Sequence, residues 1–458
     1  MSDTERLADV RLGQRRSPLS RVTRPVQEFI ALESASGLVL LAAAMFALVW
    51  ANSPWSAQYV SLLETHLVVD IGVLRIDESL HFWVNDVAMV VFFFLVGMEI
   101  KREVVLGELR GPRRLAVPVA AALGGMFVPL VIFRLIVEGP EASGGWGVPM
   151  ATDIAFALGM MALLGNRVPV GLKVLLLATA ILDDLATVFV IAVFYTEGFA
   201  IAPFALGAAF LAGAFVLRQL GVQRVPIYIV VGVAAWAAIT ESGVHPTTVG
   251  VALGILTPWR PWGRPEGVPE AITTLAQRYG AATGEGAMDR EHRRDAVIRM
   301  RDVSWQAVAP LDRLEHELHP WVAFVIVPVF AWANAGVDLG GGVFGETIGS
   351  SLTWAIIVAL VIGKPAGILL GYLIAVRLGG RASARVTWGN VLGMGMLAGI
   401  GFTIALFVTE LAFADDALVA GAKVGILLAS LFAAIAGLAT LYLLGRRNPV
   451  PASPLEAG

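Results

Sequence analysis

The chain has 458 residues, of which 57% are hydrophobic and 15% are charged, whereas a soluble domain carries about 25% charged residues. This composition indicates a polytopic membrane protein. The formal net charge of −3 argues against a nucleic-acid-binding protein, and the absence of cysteine excludes thiol chemistry, disulfides and cysteine-ligated metals.

The organisation of the chain follows from its apolar segments. Residues 1–30 are polar and arginine-rich and lack the early apolar core of a secretory signal, so we interpret them as a cytoplasmic N-terminal arm. Residues 31–445 read as one all-α transmembrane domain, and residues 446–458 as a disordered cytoplasmic tail. Twelve segments are candidate membrane spans: 31–52, 81–100, 115–136, 147–164, 172–195, 201–217, 225–240, 244–258, 320–337, 353–376, 388–412 and 418–443.

The charges in the loops support this count. Lysine and arginine lie almost entirely in alternate loops, and the intervening loops carry mainly acids. Because positively charged loops stay in the cytoplasm, this alternation predicts that both termini are cytoplasmic. A miscounted span would have disrupted the alternation.

Two long segments are not spans. Residues 57–80 are predicted to lie outside the cell, and LVVDIGVLRID within them predicts a short β-hairpin, either an edge that pairs with another protomer or a lid over the bundle. Residues 259–319 form a long cytoplasmic loop. Its charge-rich middle, MDREHRRDAVIRMRD, is either a surface helix or disordered.

Ionisable residues inside membrane spans are rare, and they are functional candidates by default because a charge at the bilayer centre costs at least ~2.5–3.5 kcal/mol. The set here is Asp86, Asp153, Asp183, Asp184, His245 and Lys364, with Glu99 at the cytoplasmic end of span 2. Asp183 and Asp184 are adjacent in the middle of span 5. Neighbouring helical residues point about 100° apart, so the two carboxylates must have different surroundings.

Glycine-rich stretches interrupt two spans in corresponding halves of the chain. One contains Thr152 and Asp153 in GVPMATDIAFALG, and the other is VLGMGMLAGIGFTIALF. Such a pair is typical of the broken helices of secondary transporters, and simple close packing of helices is the alternative. Lys364, midway along span 10, must find a carboxylate partner, for which Asp183 or Asp184 is the obvious choice.

The available ligands restrict the chemistry. Carboxylate, hydroxyl and carbonyl oxygens suit hard cations, and a zinc site is not expected. Desolvated carboxylates bind protons near neutral pH, so such a pair could hold protons or a cation but not both fully. The sequence has no nucleotide-binding motif, which points to an ion gradient as the energy source, and it predicts a transporter that is not an enzyme and has no cofactor.

At this point the residues resemble a known family, the NhaA sodium/proton antiporters. The runs that carry the resemblance cover residues 28–445 in family order: FFFLVGMEIKRE (92–103), ATDIAFALGMMALLGNRVP (151–169), LATAILDDLATVFVIAVFYT (177–196), SGVHPT (242–247), LEHELHPWVAF (314–324), ANAGV (333–337), IGKPAGI (362–368) and GIGFT (399–403). The resemblance implies two inverted repeats, spans 3–5 and 10–12, whose discontinuous spans 4 and 11 cross at the membrane midplane.

The resemblance also implies roles for particular residues. Asp184 resembles the central cation- and proton-binding carboxylate, Asp183 the acid that pairs with Lys364, and Thr152 and Asp153 the broken-helix pair. At the cytoplasmic entrance, acids and a histidine are implied in pH response: Glu99, Glu103, Glu315 and His316. The 259–311 loop is longer than the family core needs, and it lies on the cytoplasmic face where these residues are placed.

The expected function is therefore electrogenic export of Na⁺ or Li⁺ in exchange for protons, for sodium and pH homeostasis. Members of the family are typically homodimers of the inner membrane, held partly by the hairpin before span 2. The expected partners are the transported ions, the lipid bilayer and a second copy of the chain, with no nucleic acid or nucleotide. A sodium-coupled solute symporter and a passive cation channel are the alternatives; the few polar side chains around spans 4, 5 and 11 disfavour the first, and the asymmetric acids disfavour the second.

Overall fold

The computed structural model describes residues 33–70, 75–105, 112–196, 198–261, 267–282, 284, 286–340, 343–380 and 386–447. The predicted N-terminal arm lies outside these residues, as does the predicted tail from residue 448 onward. The described part is mostly helical, with one small sheet, as the composition predicts.

The helices of the first half run from α1 to α9, and short 3₁₀ helices at Ala142–Met150 and Gly165–Arg167 flank α5. Their bounds are α1 Glu33–Ala51, α2 Ser56–Leu63, α3 Leu80–Val105, α4 Pro112–Ile136, α5 Ile154–Ala162, α6 Val170–Phe194, α7 Ile201–Gln219, α8 Val225–Thr240 and α9 Thr247–Leu256. Local chemistry explains several boundaries. The Ser79 hydroxyl accepts a hydrogen bond from the backbone N–H of Phe82 at the start of α3, and a proline occupies the first turn of α8.

The second half contains α10 to α18. Their bounds are α10 Val268–Ala281, α11 Ala287–Ala307, α12 Pro310–Trp321, α13 Val327–Asn334, α14 Val343–Gly349, α15 Ser351–Arg377, α16 Trp388–Ala398, α17 Phe402–Ala412 and α18 Asp416–Arg447. A π-helical turn, Val322–Ile326, joins α12 to α13, and another, Ala359–Gly363, lies within α15 just before Lys364.

The span count is only partly supported. Among the described residues, six helices are long and apolar enough to cross a membrane, namely α3, α4, α6, α7, α15 and α18. Two bent pairs raise that number to at most eight: α1 with α2, bent by 117°, and α16 with α17, bent by 47°. Helices also occupy the other predicted segments but are shorter or interrupted, as in α5, α8 and α9. The multi-pass character is clear, and the count of twelve stays a prediction.

The predicted hairpin is present. Strand β1, His66–Asp70, pairs antiparallel with β2, Arg75–Ser79, with His66 opposite Ser79. Since β2 leads directly into α3, the sheet lies at the end of the bundle where α3 begins. We call this end the hairpin face, and we call the opposite end, where α3 ends beside α12, the loop face.

The long loop is largely helical in its described residues. Helices α10 and α11 pack against each other through a small apolar contact that buries Leu275 and Ala296. The charge-rich middle of the loop is predicted to be either a surface helix or disordered, and the structure confirms the helix. Exposed charges on α11 pair along the helix, as Arg299 does with Asp295 at 2.9 Å.

Backbone-to-backbone packing fixes the helices that surround the centre. Helices α4 and α15 approach so closely that a Cβ on Gly367 would lie 2.0 Å from the carbonyl oxygen of Gly124. Only glycine fits there, as expected where lipid-embedded helices pack closely. At the neighbouring Gly125, a Cβ would lie 2.8 Å from the Ile368 side chain and 3.7 Å from Cε of Lys364, so this close contact lies beside the buried lysine.

Candidate functional site

The centre of the molecule is built from two interrupted helices. The 3₁₀ helix Ala142–Met150 ends where Ala151 becomes extended, and α5 does not start until Ile154. In the second half, α16 ends at Ala398 and α17 begins at Phe402. Each break leaves backbone N–H and C=O groups without a hydrogen-bond partner in their own helix, so these groups need partners elsewhere in the protein.

The two breaks form hydrogen bonds with each other. The backbone N–H of Asp153 donates to the carbonyl oxygen of Ile400 at 2.7 Å, and the Thr152 hydroxyl donates to the carbonyl oxygen of Ala398 at 3.0 Å. Both breaks are buried, with Thr152 at 0% and Asp153 at 1% exposure. The interrupted backbones therefore lie directly against each other in the interior.

The carboxylate of Asp153 holds the N-terminal ends of two helices. Its Oδ1 accepts a hydrogen bond from the N–H of Phe156 in α5 at 2.9 Å. Its Oδ2 accepts from both the N–H and the hydroxyl of Thr403 in α17, at 3.1 and 2.6 Å. A negative charge at these positive helix ends is electrostatically favourable. Asp153 thus joins the two breaks through its side chain as well as its backbone.

Asp183 pairs with the buried lysine. Its Oδ2 lies 2.8 Å from Lys364 Nζ and 2.9 Å from the Thr152 hydroxyl, whose single hydrogen is shared between this oxygen and the carbonyl oxygen of Ala398. Lys364 also donates to the carbonyl oxygen of Met150, at the end of the first break. The side chains of Lys364 and Asp183 are 0% and 1% exposed. The ammonium therefore links α15, α6 and the unwound backbone in one contact.

Asp184 lies next to this pair but has a different environment. It is 3% exposed, and its Oδ1 has no hydrogen-bond partner in the described part of the chain. The same holds for three further buried oxygens on α6, namely Asp183 Oδ1, Thr179 Oγ1 and Thr187 Oγ1. These four oxygens come from three consecutive turns of one helix, so α6 presents a row of hard ligands without protein donors.

The charges in this centre do not balance. Asp153, Asp183 and Asp184 face a single ammonium, Lys364, and Glu99 is close enough to add to the negative potential at Asp184. A buried carboxylate without a counter-charge is costly, so the group takes up a proton or a cation. The arrangement therefore favours binding of small positive species close to Asp184.

A second group of predicted residues lies at the loop face, and one of them, Glu99, interacts electrostatically with both this group and Asp184. Arg102 and Glu315 form an ion pair between α3 and α12, with Glu99 and Glu103 nearby on α3. Burial raises the pKa of the Glu315 carboxyl, and the Arg102 guanidinium opposes this by lowering it. A cavity of about 360 Å³ opens beside the pair, and its lining residues are Arg102, Asp312, Glu315, His316, His319 and Pro320.

The remaining intramembrane candidates also meet. Asp86 Oδ1 lies 3.6 Å from His245 Nε2 near the hairpin face, and the other ring nitrogen of His245 contacts the Thr247 hydroxyl at 2.8 Å.

Sequence reasoning did not identify several contributors to the centre: the carbonyl groups of Met150, Ala398 and Ile400, and the bond from Thr403 to Asp153. Backbone ligands leave no residue signature, but GIGFT, with its threonine directly after the break, could have indicated Thr403.

These features define a multi-pass membrane protein with a buried, oxygen-rich centre at two helix breaks. A family model described as Na+/H+ antiporter 1 matches residues 27–441. A protein named Na(+)/H(+) antiporter NhaA 2 from Sorangium cellulosum is 44% identical over 439 residues, covering 95% of this chain and 92% of that protein. Proteins named Na(+)/H(+) antiporter NhaA from Oleidesulfovibrio alaskensis and Rhizobium meliloti are 42% and 41% identical and are each covered over 98% of their length.

The chain belongs to the NhaA family of Na⁺/H⁺ antiporters, which confirms the resemblance found in its motifs. The similar proteins carry the names of transporters, which are not enzymes in the catalytic sense. Membership supports sodium/proton exchange across a membrane as the activity of this chain.

Proposed function

We propose that the chain is an electrogenic antiporter that exports Na⁺ or Li⁺ in exchange for protons, by alternating access to one buried site. The observation that carries the proposal is the contrast between Asp183 and Asp184. Asp183 has a built-in cation, Lys364, at 2.8 Å, whereas Asp184 Oδ1 is buried without a donor in the described part of the chain. Asp184 is then the carboxylate that binds either a proton or the transported ion.

Competition between the two ions follows from the chemistry of this centre. Na⁺ needs several oxygen ligands, which the α6 oxygens of Asp183, Asp184, Thr179 and Thr187 supply. When Na⁺ binds, it stabilises the ionised form of Asp184, displaces the proton of that carboxyl and competes with the Lys364 ammonium for the ionised Asp183. Exchange becomes electrogenic when one Na⁺ displaces more than one proton, from Asp184 and from Lys364.

The helix breaks supply the moving part of the mechanism. In our proposal they belong to inverted repeats formed by spans 3–5 and 10–12 of a twelve-span bundle, and the interrupted spans cross at the midplane. The bonds between the breaks, such as Thr403 to Asp153, support this arrangement because they couple both spans to the carboxylate centre. Small shifts of the breaks then change which face of the membrane Asp184 meets.

The orientation and assembly complete the proposal. The loop face lies in the cytoplasm with both termini, and the hairpin face lies outside the inner membrane. The exposed edges of β1 and β2 support a homodimer in which hairpins of two protomers pair, because an unpaired strand edge readily adds a further strand. Asp183, Asp184, Thr152 and Asp153 form the ion site, and Lys364 is its charge partner.

In this proposal the cytoplasmic group adjusts activity to pH. The residues are Glu99, Glu103, Glu315 and His316. The raised pKa of Glu315 supports this role, because it moves the ionisation of the Arg102–Glu315 pair towards neutral pH. Alkaline pH then favours the charged pair, and acidic pH weakens it.

The experiment is ion exchange in everted membrane vesicles, followed with a fluorescent pH probe after Na⁺, Li⁺ or K⁺ is added from mildly acidic to alkaline pH. The native chain should release protons with Na⁺ and Li⁺, and Asp184→Asn should reduce the rate by at least ~100-fold, because a proton carrier is lost. Thr409→Val is a matched control, since its hydroxyl bonds only within α17.

The same assay separates the alternatives. Unchanged exchange in Asp184→Asn would contradict the assignment of the site. A passive channel would dissipate any cation gradient without moving protons in the opposite direction, and a symporter would respond to Na⁺ only with its solute present. Both outcomes would overturn the antiport proposal.

A further inference from the structure

A second lysine–carboxylate pair lies outside the site described above. Lys423 Nζ in α18 is 2.6 Å from Glu410 Oε1 in α17, and the two side chains are 12% and 22% exposed. Neither residue stood out in the sequence, because both lie near the ends of apolar segments. The pair lies towards the hairpin face, because Glu410 and Lys423 both interact electrostatically with His81 in the first turn of α3.

Helix α17 connects this pair to the buried centre. Thr403, Phe407 and Glu410 follow each other at i, i+4 and i+7, so they share one stripe of the helix. Thr403 bonds to Asp153 at the break, and Phe407 lies edge-on to His245 and contacts Phe93. Thr403 and Phe407 are buried, at 4% and 1% exposure, whereas the Glu410 side chain at the far end of the stripe is 22% exposed.

Polar groups of other helices also meet at the level of Glu410. His81 in α3 interacts electrostatically with both members of the pair, and its ring lies 3.1 Å from the side-chain amide of Asn85. Asn85 and Asn334 exchange amide hydrogen bonds at 2.7 and 3.3 Å between α3 and α13. This region is therefore a polar layer between the aromatic contacts of Phe407 and the hairpin face, and Glu410 is its carboxylate on α17.

We propose that Glu410 is a cation contact on the hairpin-face side of the ion route, and that Lys423 is its tethered counter-ion. The inference rests on the proposed function, because it requires a cation to travel between Asp184 and the hairpin face. A monovalent cation on this path meets Glu410 once it has passed Phe407. The ammonium of Lys423 balances the carboxylate when no ion is near, which keeps the partly buried charge from being unpaired.

Removing the charge of Glu410 and removing the charge of Lys423 should change the apparent KM for Na⁺ in opposite directions. Glu410→Gln leaves the Lys423 ammonium unpaired, and it repels Na⁺ at this face. Lys423→Gln leaves a bare carboxylate, which attracts Na⁺. The apparent KM for Na⁺ presented at the hairpin face should rise about fivefold in the first variant and fall by a similar factor in the second, the effect of one nearby charge in a partly screened setting. A purely structural clamp between α17 and α18 would be weakened by both changes in the same direction.

The test uses right-side-out vesicles, in which added Na⁺ meets the hairpin face, and everted vesicles, in which it meets the loop face. Opposite KM shifts in the two single variants, confined to right-side-out vesicles, are the expected result. The charge-swapped chain Glu410→Lys/Lys423→Glu should return the KM towards the native value. Glu346→Gln removes an exposed carboxylate on α14 and serves as the control for general surface charge.

Three results would overturn the inference: KM shifts of the same sign in both variants, equal shifts at both faces, or no shift in either. If Glu410→Gln does not accumulate, Lys423→Gln is compared with Glu410→Asp: aspartate keeps the charge and should leave the KM near native, whereas Lys423→Gln should still lower the KM at the hairpin face. A native chain that exchanges no ions would instead overturn the proposed function, so the two failures are distinguishable.

Discussion

The chain contains two lysine–carboxylate pairs with the same chemistry and different surroundings. Lys364–Asp183 is fully buried at 2.8 Å, and Lys423–Glu410 is partly exposed at 2.6 Å. The buried pair is also tied to an unwound backbone through the carbonyl oxygen of Met150. Desolvation makes the buried pair costly to break and sensitive to added protons or cations, whereas water screens the outer pair. The same two functional groups can therefore serve as a switch at one depth and as an electrostatic contact at another.

The largest expected effect tests this difference in depth. Lys364→Ala should destabilise the protein by about 3–5 kcal/mol, because it leaves Asp183 unpaired in the interior. Lys423→Ala should cost only about 1 kcal/mol, because its partner remains partly hydrated. Thermal unfolding of the two detergent-solubilised variants measures both values. Equal losses would show that depth does not distinguish the pairs.

The second prediction concerns the link between the breaks. Thr403→Val removes the 2.6 Å hydrogen bond to Asp153, a bond to a charged group worth about 1.5–3 kcal/mol, and should weaken Na⁺ binding roughly tenfold or more. Thr409→Val, on the same helix, removes only a bond to the carbonyl of Ala405 and should change Na⁺ affinity little. Exchange rates measured over a series of Na⁺ concentrations give the KM for Na⁺ of each variant. Matching KM values in the two variants would mean that the Asp153 contact does not shape the ion site.

The third prediction moves to the loop face. Arg102 lowers the pKa of Glu315, so Arg102→Gln should raise that pKa further. Glu315 then ionises at a higher pH, and the pH at which exchange becomes half-maximal should move upward. Exchange rates across a pH series record the shift, and Glu315→Gln should remove this component of the response. A downward shift in Arg102→Gln would contradict the assignment of Glu315 as the titrating group.

The smallest expected effect has the opposite sign. The negative charge of Glu103 raises the pKa of Glu315, so Glu103→Gln should lower it and move half-maximal exchange slightly downward in pH. Glu103 is a weaker influence on Glu315 than Arg102 is, so its shift should be the smaller of the two. An upward shift would contradict the assignment of Glu103 as a negative neighbour of Glu315.

Linkage gives a matching prediction for stability. A carboxyl whose pKa is raised by folding binds its proton more tightly in the folded state, so its contribution is present at acidic pH and fades as the pH rises through the raised pKa. Glu315→Gln cannot ionise, so its melting temperature relative to the native chain should increase with pH above the ordinary glutamate range. If the difference in melting temperature between Glu315→Gln and the native chain stays constant with pH, folding does not raise the pKa of Glu315.

The sequence was informative where a residue type is unusual for its surroundings. Charged residues within apolar segments singled out Asp183, Asp184 and Lys364, because lipid tolerates such groups only when they are paired or functional. The glycine-rich runs identified both interrupted helices, and LVVDIGVLRID identified the hairpin. Each signal depends on local composition, which a single sequence displays.

Other features depend on contacts between distant segments. The carbonyl groups of Met150 and Ile400 accept hydrogen bonds from distant segments, from Lys364 in α15 and from Asp153 at the first break, and every residue has a carbonyl group. Glu410 and Lys423 lie near segment ends, where charges are common, so nothing marked them as a pair. The span count is limited for a related reason: helices such as α9 and α16 have only 10 and 11 residues, too few to cross a membrane alone, and hydropathy does not show how short helices combine.

The central claim is that the aspartates of α6 hold protons or Na⁺ in competition. Proton release on Na⁺ addition to the purified protein, in weakly buffered solution without a membrane, tests it most directly. The account predicts that Na⁺ binding releases protons from the native chain, that the release declines at alkaline pH, and that Asp184→Asn abolishes it. Na⁺ binding to the native chain without proton release would contradict the account.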